Sequence, residues 1–161
     1  MPFPHNSERS LLRVYALSYR DGADVPVTQD TRECVNHWVD YWYGRIACPV
    51  HWVPEQPYET FDAMAFDIAR GEFKVHCPGL KYSSRVFGNH YRRFRAVHDY
   101  FGHYCANNGF GLLGELSAYG VHCAQFPAQC HPLIFNELVL VNSYKDYFGH
   151  YSDEDKLVIL A

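Results

Sequence analysis

From Asn89 to Phe148 the apolar residues recur every three or four positions, and two breaks divide the run into three predicted helices, roughly 90–106, 112–126 and 132–148. "NNGFG" separates the first from the second, and "PAQCHP" the second from the third. The first half is less regular. "LLRVYALSY" (11–19) alternates apolar and polar and predicts a strand, with "RDGADVP" as the turn or loop after it. "TQDTRECVNHWVDYWYG" offers Asp30 as a cap with an acid at Glu33. Its Cys34, Val35, Trp38 and Trp42 follow at helical spacing until Gly44 ends the run. "CPVHWVPEQP" is proline-punctuated and extended. "ETFDAMAFDIARG" reads as a helix on Phe61, Met64, Ala65 and Ile68, stopped by Gly71, "EFKVHC" as a short strand, and "PGLKYSS" as a loop. There is no internal repeat, low-complexity tract or linker. The predicted fold class is α+β and mainly helical, one domain over 1–161, with a mixed strand/helix part (1–88) and a helical part (89–150) carrying the site.

Each helix of the second half places polar groups inside its apolar stripe. At about 100° per residue, Tyr91, Phe94, Phe101 and Cys105 fall within about 60° of His98. Asp99 and His103 are four apart and share a neighbouring side. Gly102, between those two directions, costs a mid-helix position about 0.5–1 kcal/mol relative to alanine, which points to close approach of another helix or a ligand. On the second helix Leu112, Ala118, Tyr119, His122 and Phe126 surround Glu115. On the third, Leu133, Ile134, Val141, Tyr144 and Phe148 surround Glu137, with Asp146 on the opposite side.

A lone ionised carboxylate is seldom buried unless it is paired or coordinates a metal. His98, Asp99, His103, Glu115, His122 and Glu137 supply three imidazoles and three carboxylates, a mixture that suits iron, manganese or zinc between helices. In this reading the ligands to one or two ions come from His98, His103, Glu115, His122 and Glu137. Asp99 is a ligand, an orienting partner or a general base, and Arg95 holds a small anionic substrate. Glu115 can also act on substrate, and Tyr119, Tyr144 and Asn142 line the pocket. Glu115 and His122 stand two turns apart, about 10 Å along an axis, so both reach one ion only by leaning inward. A buried acid–base network without metal and a purely structural polar core are the competing readings.

Composition narrows the partners. A net charge of −4 with 20% charged residues disfavours non-specific binding to nucleic-acid phosphates. No apolar run approaches the ~20 residues that cross a bilayer, and "MPFPHNSERS" lacks a signal-peptide core, so a cytoplasmic protein is expected. The six cysteines (Cys34, Cys48, Cys77, Cys105, Cys123, Cys130) show neither C-x-x-C nor zinc-finger spacing and are expected to be thiols. Aromatic residues at 17% suit either a ring-lined pocket or an interface, and an oligomer is compatible with the pattern.

The stretches "FRAVHDYFGH" (94–103), "GFGLLGELSAYGVH" (109–122) and "NELVLVNSY" (136–144) resemble an uncharacterised family of bacteriophages and mobile elements, also found as a domain of large phage polyproteins. Its pattern runs R-A-V-H-D-x-F-G-H, then F-x-x-x-G-E-x-x-A-x-x-x-H, then a glutamate. Arg95, His98, Asp99, Gly102, His103, Phe110, Gly114, Glu115, Ala118, His122, Glu137 and Asn142 stand at those positions. The family tends to a G-Q-N tripeptide where this chain has Leu140, Val141 and Asn142, so the glutamine's contact is missing. The resemblance implies a phage origin and a shared polar site, with no reaction attached. H-E-x-x-H, G-x-S-x-G and a phosphate-binding glycine loop are absent, and the fit to a His-Asp phosphohydrolase is poor. The sequence therefore supports a metal-dependent enzyme, either of the non-haem iron or manganese oxidase type or a metal-assisted hydrolase. The alternative is a non-catalytic phage protein binding a host factor or small metabolite in the same pocket.

Overall fold

Helices carry most of this α+β protein, and a small parallel sheet is its only regular β-structure among the described residues, 6–77 and 84–160 of a computed structural model. The first helix, α1 (Asn6–Asp21), replaces the strand expected over 11–19. Nine residues of alternation satisfied period two, but Leu12, Tyr15, Ala16 and Tyr19 also sit at i, i+3, i+4 and i+7. That second pattern is the one buried: Ala16 and Tyr19 are core, whereas Val14 is 56% exposed. Helix α2 (Gln29–Tyr43) ends at Gly44 as expected, but its cap is Thr28, whose Oγ1 accepts from Thr31 N, so Asp30 falls inside the first turn.

Strand β1 (Val50–Val53), helix α3 (Phe61–Ala69) and strand β2 (Phe73–His76) form a crossover unit. The strands pair in parallel, Val50 opposite Phe73 and Trp52 opposite Val75, which requires an intervening connection such as α3. Phe73, Val75, Met64 and Ile68 pack together beneath Ala96 of the helical half. Asp67 secures the unit by accepting hydrogen bonds from Tyr58, Arg70 and Lys74. Of the loop expected at "PGLKYSS", all but Ser84 lies outside the described residues.

The three expected C-terminal helices are present, but two of them are not α-helical throughout. Helix α4 (Tyr91–Val97) runs without a break into a π-helical stretch, His98–Cys105. Helix α5 is regular over Leu112–Gln125. After a short turn, α6 (His131–Phe135) continues through a second π-helical stretch, Asn136–Val141, into α7 (Asn142–Phe148). A π turn inserts a residue into the ladder and is found disproportionately at functional sites. Among the described residues no helix is long and apolar enough to cross a membrane. All six cysteines are free thiols, with the sulfurs of Cys34 and Cys130 3.8 Å apart.

The C-terminal tail has no regular structure, and Asn136 fixes it. Asn136 Nδ2 donates to Lys156 O at 3.0 Å, and Val158 N donates to Asn136 Oδ1 at 2.9 Å, all in a buried setting. Lys156 Nζ in turn donates to the carbonyls of Arg20 and Gly22, tying the tail to the end of α1. Asn136→Ala leaves the buried Val158 N–H without a partner and Lys156 O with only the long 3.5 Å bond from the Tyr19 hydroxyl. It should lower stability by about 1–3 kcal/mol in urea unfolding, whereas Asn142→Ala, half-buried beside the cavity, should cost less.

Candidate metal centre

The π-helical stretch decides which side chains meet. On an α-helix His98 and His103 would point about 140° apart. The wider i→i+5 ladder carries residues five apart toward one face, and the two Nε2 atoms stand 3.0 Å from each other. Glu115, from the first turn of α5, completes the group: Oε2 lies 3.1 Å from His98 Nε2, and Oε1 3.3 Å from His103 Nε2. His98, His103 and Glu115 are the residues whose ligand atoms converge closely enough to hold one metal ion among those described. A helical wheel at α-helical periodicity pairs Asp99 with His103 instead.

Hydrogen bonding leaves this group short of positive charge. His103 Nδ1 lies 2.9 Å from the carbonyl of Asn108, an acceptor only, so Nδ1 carries a proton, and in its neutral form the ring turns a bare Nε2 toward the group. Asn108 is itself held by donating to Gly102 O. Glu115 Oε2 is buried and accepts no hydrogen bond despite its nearness to His98. Burial alone would raise the Glu115 pKa, but the two imidazoles outweigh it and lower it to about 2. Burial likewise works against a charged His103, and Glu115 overcomes it, raising that imidazole's pKa. Two imidazole nitrogens and a carboxylate within 3.3 Å thus demand a cation, either a proton or a metal. With bonds of about 2.0–2.2 Å, ligand atoms lie about 3.0 Å apart at right angles and about 3.4 Å apart in a tetrahedron. The observed separations fall in that interval.

The other expected site residues occupy other places. His122 is fully buried with Nε2 3.1 Å from His98 Nδ1, behind that ring and outside the converging group. Burial, then the neighbouring His98, drives its pKa down to about 3, so it is neutral. Glu137 is also outside the group. It lines a cavity of about 450 Å³ that His98, His103 and Glu115 also line, and it accepts a hydrogen bond from the Tyr91 hydroxyl. Arg95, Asp99 and Asn142 line the same cavity, together with Lys145 and Asp146. Tyr119 and Tyr144 do not: Tyr119 packs on Phe135 and His131, and Tyr144 on Tyr19 and Phe148.

Three contributors went unread in the sequence. Asn108 sits in "NNGFG", which registers only as a helix break. Tyr91 lies on the apolar stripe of His98. Gln125 stands three residues beyond His122, a spacing that could have been recognised as a contact on α5. Comparison with protein-family models, curated proteins and solved structures found no match to this chain.

Glu137 gives a pH prediction. Burial raises its pKa above the ordinary 4.5, and the Tyr91 hydrogen bond and Arg95 offset this only in part. The folded protein therefore binds a proton that the unfolded chain releases above about pH 4.5, so this residue's contribution to stability falls as pH rises from there through the folded pKa. Glu137→Gln removes the dependence and keeps an acceptor for Tyr91. Its stability relative to the parent protein should improve progressively as pH rises above about 4.5 in urea titrations, and a constant difference would refute the assignment.

Proposed function

We propose that the protein is a small metal-dependent enzyme, in which His98, His103 and Glu115 hold one divalent transition ion in the wall of the cavity. The observation that carries this reading is the buried, unbonded Glu115 Oε2 beside two imidazole nitrogens aimed at the same point. Three protein ligands leave coordination positions open, as catalytic rather than structural sites do. Iron, manganese and zinc all accept two imidazoles and a carboxylate.

Hydrolysis is the favoured reaction, because the cavity wall is rich in groups that carry protons and charge. Bound there, the ion would acidify a coordinated water. Asp99, next to His98 in the chain and on the cavity wall, is the candidate base, and Arg95 with Lys145 would hold a small anionic substrate. A second reading draws on the ligand set itself: two histidines and one carboxylate with open positions are also the pattern of non-haem iron oxygenases. Descent from a bacteriophage family remains part of the proposal, resting on the motif resemblance alone.

Protein purified without chelators should contain about one equivalent of transition metal per chain, read by elemental analysis. Added Zn²⁺, Mn²⁺ or anaerobic Fe²⁺ should raise the melting temperature of the chelated protein. His103→Ala and Glu115→Ala should each abolish that rise. Glu137→Gln and Cys130→Ala should retain it, since neither residue belongs to the converging group. No metal in any preparation and no thermal shift with any ion would overturn the reading.

A further inference from the structure

The fourth histidine and its neighbour form a separate feature behind the ligand group. His122 Nδ1 lies 2.7 Å from Gln125 Oε1, and its Nε2 lies 3.1 Å from His98 Nδ1. The His122 ring is fully buried, with Phe94 and Phe126 among its ring neighbours. A glutamine oxygen can only accept, so His122 Nδ1 bears the proton. With an ion on its Nε2, His98 keeps its one N–H at Nδ1 and donates it to His122 Nε2, whose ring then carries its own proton at Nδ1. His98 is left with its Nε2 lone pair toward His103 and Glu115. Each step in this chain fixes the next.

Space around the chain is closely fitted. A Cβ on Gly102 would fall 2.9 Å from His122 Nε2, 3.1 Å from His98 Nδ1 and 3.1 Å from Ala118 Cβ. The glycine on the π-helical stretch and the small residue on α5 thus let the two imidazoles touch, and a methyl group would part them.

We propose that Gln125 and His122 are positioning residues for the metal centre, a hydrogen-bonded relay that sets the tautomer and angle of His98 without either residue binding the ion. The inference rests on the metal reading and adds to it a role for the histidine that sequence spacing had counted among the ligands. Such partners of ligating histidines typically contribute about 10–100-fold to metal affinity.

Cobalt(II), whose visible absorption reports ligand geometry, tests the relay in the full-length protein through Kd and spectrum. Gln125→Leu should weaken Co²⁺ binding by about tenfold or more and shift the absorption bands, while Gln125→Glu, which keeps an acceptor at that place, should restore both. Gly102→Ala should shift the bands in the same sense. Melting temperatures of the metal-free variants are measured alongside, because a merely structural role would lower them without moving the cobalt spectrum. Unchanged affinity and spectrum in Gln125→Leu would overturn the relay while leaving the metal centre standing. So would complete loss of binding in His122→Phe with no effect of Gln125→Leu, which would make His122 a ligand. Failure of the parent protein to bind Co²⁺ at all would instead overturn the metal reading, and the relay with it.

Discussion

The structure turns on a local shortage of positive charge: two imidazole nitrogens and a carboxylate pressed together where water is largely excluded. His103 is 1% exposed and His98 8% exposed, so neither can relieve the crowding by turning outward. One proton cannot be given to three acceptors at once. A divalent ion would satisfy all three at once. Metal and proton then compete for the same lone pairs, so affinity for an ion should fall as the medium becomes acid.

Everything around the group works to keep it assembled. The π-helical stretch His98–Cys105 turns residues five apart onto one face, and the carbonyl of Asn108 holds one ring while His122 holds the other. Helix α5 brings Glu115 from the side, at the same level. The second π-helical stretch, Asn136–Val141, performs a comparable service along the same cavity: Asn136 ties down the chain's tail and the adjacent Glu137 lines the cavity. Irregular helix is thus used twice, each time where a polar side chain must be aimed inward from an otherwise apolar element.

How much of this was legible in the sequence depends on periodicity. The three C-terminal helices, the α2 helix ending at Gly44 and the short β2 strand follow from spacing and from glycine breaks, and the structure has them at nearly the expected positions. The anomaly of acids and imidazoles within apolar stripes was also visible, and it led to three of the residues that converge. The pairing within the site was not visible, because a wheel drawn at 100° per residue places His98 and His103 apart and Asp99 beside His103. Nothing in "HDYFGH" announces a π turn except Gly102, whose reason is the contact with α5. Segment 11–19 misled for a related cause: nine residues fit both periods, and only burial against α7 and the tail decides between them.

The most direct test of the account is crystallographic: anomalous scattering from a crystal of the protein loaded with zinc or manganese. The account predicts one strong peak about 2.0–2.2 Å from His98 Nε2, His103 Nε2 and a Glu115 oxygen, facing the cavity, with His122 hydrogen-bonded behind His98. A peak bound through His122 or Glu137 instead, or no ordered metal within reach of Glu115, would contradict it.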